Sequence, residues 1–116
     1  VPDLKKRGIN VALGADGAPC NNNLNMFQEM RLAAILHKPS YGPKALPAQV
    51  VLDMATRDGA KALGWERDIG SLEIGKKADI AVLDLNRPEN LAPRLTKKGK
   101  LDSDAIASAI VYSTQP

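Results

Sequence analysis

A short apolar segment that leads into a glycine- and proline-containing loop limits the folds open to this chain more than any other feature. Residues 9–13 predict a buried strand, and the loop at 14–19 places Asp16 just past the strand's C-terminal end. Apolar residues then recur at helical spacing from Asn23 to Lys38. A strand, a loop carrying a carboxylate and a helix form the repeating unit of a parallel α/β fold, whose chemistry gathers at the C-terminal ends of the strands.

The elements on either side of this unit are predicted from caps and breakers. Residues 1–8 resemble the end of a helix, with basic side chains in the last turn and Gly8 as the stop. Asn22 or Asn23 is the expected N-cap of the helix that follows the Asp16 loop, and Pro39 is expected to close that helix.

Three further helices and one strand are predicted downstream. Pro47 opens a helix in which Val50, Val51 and Met54 face inward, and Thr56 caps a short helix that ends at Gly64. A turn-rich link then leads to a strand at 78–85, and a last short helix is expected at 105–112.

Composition and charge narrow the classes of partner. The 116 residues carry a formal charge of +3 and are 44% hydrophobic, with a pI of about 9.1. The basic residues lie in short groups without interleaved aromatic side chains, so we expect a solvated surface and no nucleic-acid partner. No apolar run approaches the roughly 20 residues of a membrane span, so we expect no membrane partner and a cytoplasmic location.

Two blocks of the sequence resemble a known family. Residues 8–22 (GINVALGADGAPCNN) and 25–34 (NMFQEMRLAA) are similar to the eighth barrel strand and following helix of the amidohydrolase superfamily. They most resemble the branch that contains the 5-methylthioadenosine/S-adenosylhomocysteine deaminases and the triazine hydrolases. Residues 55–64 and 69–84 resemble the superfamily's return from the barrel to a small β-sandwich.

The resemblance implies a fold and a domain division. The expected fold class is α/β, comprising the C-terminal piece of a TIM-like (β/α)8 barrel and part of a small β-sandwich domain. Residues 1–68 would be the end of the barrel, with its last strand and helices. Residues 69–116 would be the partial sandwich, so the chain is expected to be a fragment of a longer enzyme.

The resemblance also implies a role for Asp16, as both metal ligand and catalytic residue. In the family, the aspartate that ends the eighth strand binds a divalent metal, usually Zn²⁺, and exchanges a proton with the hydrolytic water. The implied activity is deamination of an amino-substituted purine or related heteroaromatic (adenosine-type) small molecule by metal-bound hydroxide, in a homo-oligomeric full-length enzyme. Without the resemblance, an aspartate between a strand and a glycine would be taken for a turn former.

Two other side chains and two other functions are alternatives. His37, the only histidine, is expected at a helix end, where its charge suits the helix dipole. Cys20, the only cysteine, is expected to be a small packing residue. Because the chain lacks a His-x-His pair, we expect the isolated fragment to be inactive. The alternative functions are hydrolytic dechlorination or deamination of triazines and a non-catalytic interaction module.

Overall fold

The computed structural model describes residues 1–84 and 102–114, and the regular structure in these ranges is helical. In chain order the helices are α1 (Pro2–Lys6), α2 (Ala18–Asn21), α3 (Met26–Leu36), α4 (Lys38–Tyr41), α5 (Ala48–Ala55), α6 (Arg57–Ala62) and α7 (Ser103–Tyr112). No helix in the described part of the chain combines the length and apolar character needed to cross a membrane.

The core forms where α3, α5 and α7 pack against one another. Helix α5 is central because it contacts both other core helices and also α6, and its Val51 and Met54 are fully buried. The inward orientation predicted for these two residues is confirmed, and Val50 packs against the same core. The remaining buried members of the cluster are Met30, Ala34, Leu46, Ala48, Ala107 and Val111.

Helix α1 ends where the sequence predicts, and an ion pair connects it to α6. Gly8 follows the helix with a φ of +74°, a left-handed conformation that glycine adopts without steric cost. The Lys5 ammonium lies 2.5 Å from a carboxylate oxygen of Asp58, and Asn10 donates a hydrogen bond to the Asp58 carbonyl at 3.0 Å. These contacts hold the segment before the Asp16 loop against α6.

The predicted N-cap of α3 is wrong by two or three residues. The cap is Asn25, whose side-chain oxygen accepts hydrogen bonds from the amides of Phe27 and Gln28 at 3.0 and 3.3 Å. Asn22 instead ends α2 with a φ of +58°, and the Asn23 side chain accepts a hydrogen bond from the Asn25 amide. Each asparagine thus has a different role in the turn between α2 and α3.

Two other predicted helix signals act differently from the expectation. Pro39 does not close α3, because α3 ends at His37 and Pro39 lies in the first turn of α4, where a missing N–H is tolerated. Thr56 occupies the predicted N-cap position of α6, but its side chain forms no capping hydrogen bond there. Its hydroxyl donates to the Leu52 carbonyl at 2.7 Å, in the last turn of α5.

The ends of α6 and α7 agree with the sequence. Helix α6 stops before Gly64, whose φ is +71°. Helix α7 includes all of the predicted range 105–112 and begins slightly earlier, because the Asp102 side chain accepts a hydrogen bond from the Asp104 amide at 3.0 Å and so caps the helix.

The two predicted strands are absent from the part of the chain that the structure describes. Residues 9–13 and 78–84 form no regular element, and Leu85 lies outside the described residues. A strand needs a neighbouring strand to complete its hydrogen bonds. Residues 9–13 instead make single backbone bonds to helices, among them Leu13 N–H to the Met54 carbonyl at 3.2 Å. The apolar patterns at 9–13 and 78–84 predicted side chains suited to burial. The described residues, however, supply no strand with which either segment could pair.

Candidate functional site

Asp16 lies in the loop between Leu13 and α2, with an exposed side chain. Its φ is +57°, in the left-handed region that aspartate tolerates better than most residues. Among the described residues, no hydrogen bond or ion pair reaches its carboxylate. Both carboxylate oxygens are therefore accessible to a ligand.

Three hydrogen bonds hold this loop against the helices. Upstream, the Leu13 amide donates to the Met54 carbonyl, in the last turn of α5, at 3.2 Å. On the downstream side, the Asn21 side-chain amide donates to the Ala15 carbonyl at 2.8 Å and to the Glu29 carboxylate at 2.7 Å. The loop is thus fixed to both α5 and α3.

The turn-former alternative for Asp16 predicts a side-chain hydrogen bond to a nearby backbone amide. No such bond is present within the described ranges, although the left-handed backbone at Asp16 is typical of a turn. The backbone therefore agrees with a turn, while the side chain contributes nothing to it. A metal-binding role for Asp16 stays a prediction.

The residues that the structure describes do not form a complete metal site. No group of three or more histidine, cysteine, aspartate or glutamate side chains in those residues is close enough to hold an ion. Catalytic zinc generally takes about three protein ligands. Asp16 fits as one of them, because it offers an exposed oxygen donor free of competing partners, and the other ligands would have to come from elsewhere in a longer protein.

His37 occupies the helix-end position that the sequence predicts, between α3 and α4. Its ring packs edge-on against Tyr41, with the ring centroids 6.2 Å apart. The Tyr41 hydroxyl donates a hydrogen bond to the Asp3 carboxylate at 2.6 Å, which raises the pKa of Tyr41, and the negative charge of Asp3 raises it further. This cluster joins α1 to α4 and does not include Asp16.

Cys20 is exposed on α2, so its predicted role as a packing residue is wrong. The reason is local: α2 is a four-residue helix at the edge of the Asp16 loop and has no buried residue. Of the neighbouring asparagines, Asn21 and Asn23 form side-chain hydrogen bonds. The pairing of Asn21 with Glu29 was not predicted, because the two residues lie on different helices and their contact depends on the turn between α2 and α3.

A groove of about 580 Å³ lies along α3, away from Asp16. Its walls include Phe27, Arg31, Leu32 and Leu36 from α3 and Thr114 after α7. No residue of the loop at 14–17 lines this groove.

Comparison with known proteins establishes the class. A sequence profile of the amidohydrolase family matches residues 1–115, and the chain belongs to this family. Within the family it is similar to the 5-methylthioadenosine/S-adenosylhomocysteine deaminase of Caldanaerobacter subterraneus subsp. tengcongensis, with 47% identity over 99% of this chain and 24% of that protein. The 5'-deoxyadenosine deaminase of Methanosarcina acetivorans is 56% identical over 73% of this chain and 19% of its own length.

A solved structure gives the same result in three dimensions. The chain superposes on an adenosine deaminase from Xanthomonas campestris with bound zinc, with a TM-score of 0.81 and 38% identity, covering 95% of this chain and 23% of that one. The resemblance to the deaminase branch is thereby confirmed. The chain spans about a quarter or less of the length of these relatives.

Proposed function

We propose that this chain is part of a metal-dependent hydrolase that deaminates an adenosine-type small molecule. The observation that carries the proposal is the 47% identity to a 5-methylthioadenosine/S-adenosylhomocysteine deaminase along 99% of the chain. The same observation supports a domain division in which residues 1–68 complete a (β/α)8 barrel and residues 69–116 begin a small sandwich. Within that division, the apolar segment 9–13 pairs with barrel strands supplied by the rest of the protein.

Asp16 is the residue of this chain that would hold the metal, which is zinc in the Xanthomonas relative. When bound in such a site, a divalent metal lowers the pKa of water toward neutrality. The Asp16 carboxylate accepts a proton from the attacking water and donates it to the departing amino group. Water thereby forms the new carbon–oxygen bond, the carbon–nitrogen bond breaks, and ammonia leaves.

The local structure suits Asp16 to this proton transfer. A carboxylate that exchanges protons must reach the water without being held by competing donors, and the Asp16 side chain is exposed and has no partner among the described residues. Its backbone, in contrast, is held on both sides by the bonds at Leu13 and Ala15. A fixed backbone with a free carboxylate is the arrangement that positioned acid–base catalysis requires.

The test is an assay of the full-length protein that contains this chain. We expect ammonia release from 5-methylthioadenosine, S-adenosylhomocysteine or 5'-deoxyadenosine, and no chloride release from a chlorotriazine. Chloride release without deamination would replace the proposal with triazine hydrolysis. A protein that shows neither activity but binds polyanions at moderate salt would favour a non-catalytic module, because nonspecific phosphate contacts weaken at that salt concentration.

A further inference from the structure

The Asn21 side chain connects the residue before Asp16 to helix α3. Its amide group has two N–H donors, and the structure uses both: one bonds the Ala15 carbonyl at 2.8 Å and the other bonds the Glu29 carboxylate at 2.7 Å. We call this set of contacts, formed by Ala15, Asn21 and Glu29, the Asn21 bridge. Its two ends are a peptide carbonyl in the candidate site and a carboxylate on a core helix.

The Ala15 contact acts directly on the geometry of Asp16. The Ala15 carbonyl belongs to the planar peptide unit that also contains the Asp16 nitrogen and Cα. A hydrogen bond to that oxygen therefore fixes the plane from which the Asp16 side chain projects. Because Asn21 follows Asp16 in the chain, the same bond also closes residues 15–21 into a ring, which restrains the φ and ψ of Asp16.

The bond at Ala15 holds Asp16 in a left-handed backbone conformation that the loop would otherwise not keep. Asp16 has a φ of +57°, and the left-handed region costs an L-residue about 1–2 kcal/mol relative to the right-handed one. A loop without an external restraint relaxes from such a conformation, and the carboxylate then points elsewhere. The Asn21 bridge supplies that restraint on the side toward α2.

Glu29 gives the bridge a rigid support. It lies in the first turn of α3, which Asn25 caps, and the next residue, Met30, is buried in the core with 4% exposure. Its carboxylate can only accept hydrogen bonds, so it fixes which end of the Asn21 amide faces it. The nitrogen end of the amide is consequently held toward both Glu29 and Ala15.

We propose that Asn21 and Glu29 are positioning residues, which set the direction of the Asp16 carboxylate toward the metal and the substrate through the Ala15 peptide. The inference rests on the proposed function, since it assigns no chemistry to Asn21 or Glu29 themselves. Asn21 and Glu29 would support the metal ligand Asp16, and substitutions of residues in such a position typically lower metal affinity or activity by about 10–100-fold.

The first test compares Asn21→Ala with Asn23→Ala in the full-length protein. Asn23 is a matched control because it lies in the same segment and bonds Asn25 and Gln28 but not Ala15. We expect Asn21→Ala to lower kcat and the zinc affinity, measured by competition with a chelator, each by about 10–100-fold, with KM little changed. Asn23→Ala should leave kcat and zinc affinity close to those of the wild type.

A second pair of variants separates positioning from folding. Glu29→Gln retains a side-chain oxygen that can accept from Asn21, so it should retain wild-type kcat and zinc affinity. The double variant Asn21→Asp with Glu29→Gln keeps the net charge and allows the amide of the new glutamine to donate to the new aspartate. It leaves the Ala15 carbonyl without its donor, so it should still melt cooperatively as a folded protein but lose kcat and zinc affinity.

The outcomes test the positioning role and the proposed deaminase function separately. Wild-type zinc affinity and kcat in the double variant, or equal losses in Asn21→Ala and Asn23→Ala, would overturn the positioning role while leaving deamination intact. A wild-type protein that neither binds zinc nor deaminates would instead overturn the proposed function. If Asn21→Ala fails to fold, the double variant alone gives the answer.

Discussion

Asp16 combines a backbone conformation that few L-residues tolerate with a carboxylate that forms no hydrogen bond or ion pair with any described residue. Backbone strain of this kind persists only where the surroundings hold it, and such residues cluster at functional sites. Here the restraint comes from bonds to the residues on either side of Gly14 and not from the Asp16 side chain. The side chain is thus left for a function outside the local fold.

Replacing Asp16 with Asn in the full-length protein should remove nearly all turnover and leave the fold intact. Asparagine keeps the size and one oxygen donor, but it cannot accept a proton from water. We expect kcat to fall by at least about 10²–10⁴-fold, the usual contribution of general acid–base catalysis. The measurement is steady-state deamination with saturating metal, alongside a thermal melt.

His37→Gln is the matched control for Asp16→Asn. His37 lies between α3 and α4, next to Tyr41, so we expect kcat to change little. Near-normal deamination by Asp16→Asn would contradict the assignment of Asp16 and restore the turn-former interpretation.

Tyr41 should make the stability of the protein sensitive to alkaline pH. Its pKa is raised from 10.0 by the hydrogen bond to Asp3 and by the charge of that residue. A group with a raised folded-state pKa stabilises the fold below its unfolded pKa and loses that contribution as the pH rises through the folded value. The stability difference between wild type and Tyr41→Phe should therefore be constant below about pH 9 and shrink above pH 10.

Thermal melts of the full-length protein at several pH values measure this difference. Asp3→Ala removes the same bond from the other side and should give the same alkaline profile as Tyr41→Phe. A difference that stays constant through the titration would show that the bond does not contribute to stability.

At the scale of single elements, the packing of α6 against the turn that follows it can be tested at two glycines. A Cβ on Gly70 would lie 2.6 Å from the Ala60 Cβ, and the φ of Gly70 is +91°. Gly75 has a similar φ of +94°, but nothing lies within 4 Å of the corresponding position. Both alanine variants therefore carry the left-handed strain, and only Gly70→Ala adds a steric clash.

We expect Gly70→Ala to lower the free energy of unfolding by about 1–3 kcal/mol more than Gly75→Ala, the usual cost of overpacking. Urea denaturation of the full-length protein measures both variants. Equal losses would mean that the turn after α6 moves away without cost.

The success of sequence-based prediction also depends on the element. Helices α3, α5 and α7 follow from the spacing of apolar residues, which is a local property, and all three are found close to the predicted ranges, although the predicted N-cap of α3 is wrong. The strands at 9–13 and 78–84 are not found, because a strand is completed by partners distant in sequence. Within the site, the loop position of Asp16 follows from local order, whereas the contact of Asn21 with Glu29 depends on how α2 folds back onto α3.

At the scale of the whole molecule, the isolated 116-residue chain should hold no stoichiometric zinc. The described residues bring no three metal-binding side chains together, and one carboxylate leaves an ion under-coordinated. Metal analysis after dialysis tests this, with the full-length protein in the same buffer as the control. About one tightly bound zinc per isolated chain would contradict the proposal that other parts of the protein supply the ligands.

The isolated chain should also associate and melt over a broad temperature range. In its described part, exposed apolar side chains line one groove along α3, with Leu32 at 51%, Ile35 at 49% and Leu36 at 66%. Contiguous exposed apolar surface favours association. Light scattering after size exclusion and a thermal melt at several concentrations measure this, and a sharp melt of a monomer, independent of concentration, would contradict it.

The hydrogen bonds at Leu13 and Ala15 make the number of residues between these two positions more important than the side chain that lies there. They hold the backbone on either side of Gly14, where an added Cβ would meet no atom within 4 Å. Substitution at Gly14 is therefore sterically free. An insertion or deletion there would move Leu13 or Ala15 away from its partner by most of a residue's length, about 3.3–3.6 Å in an extended chain. We therefore expect a substitution at Gly14 to be tolerated, and a change in the number of residues between Leu13 and Ala15 to displace Asp16.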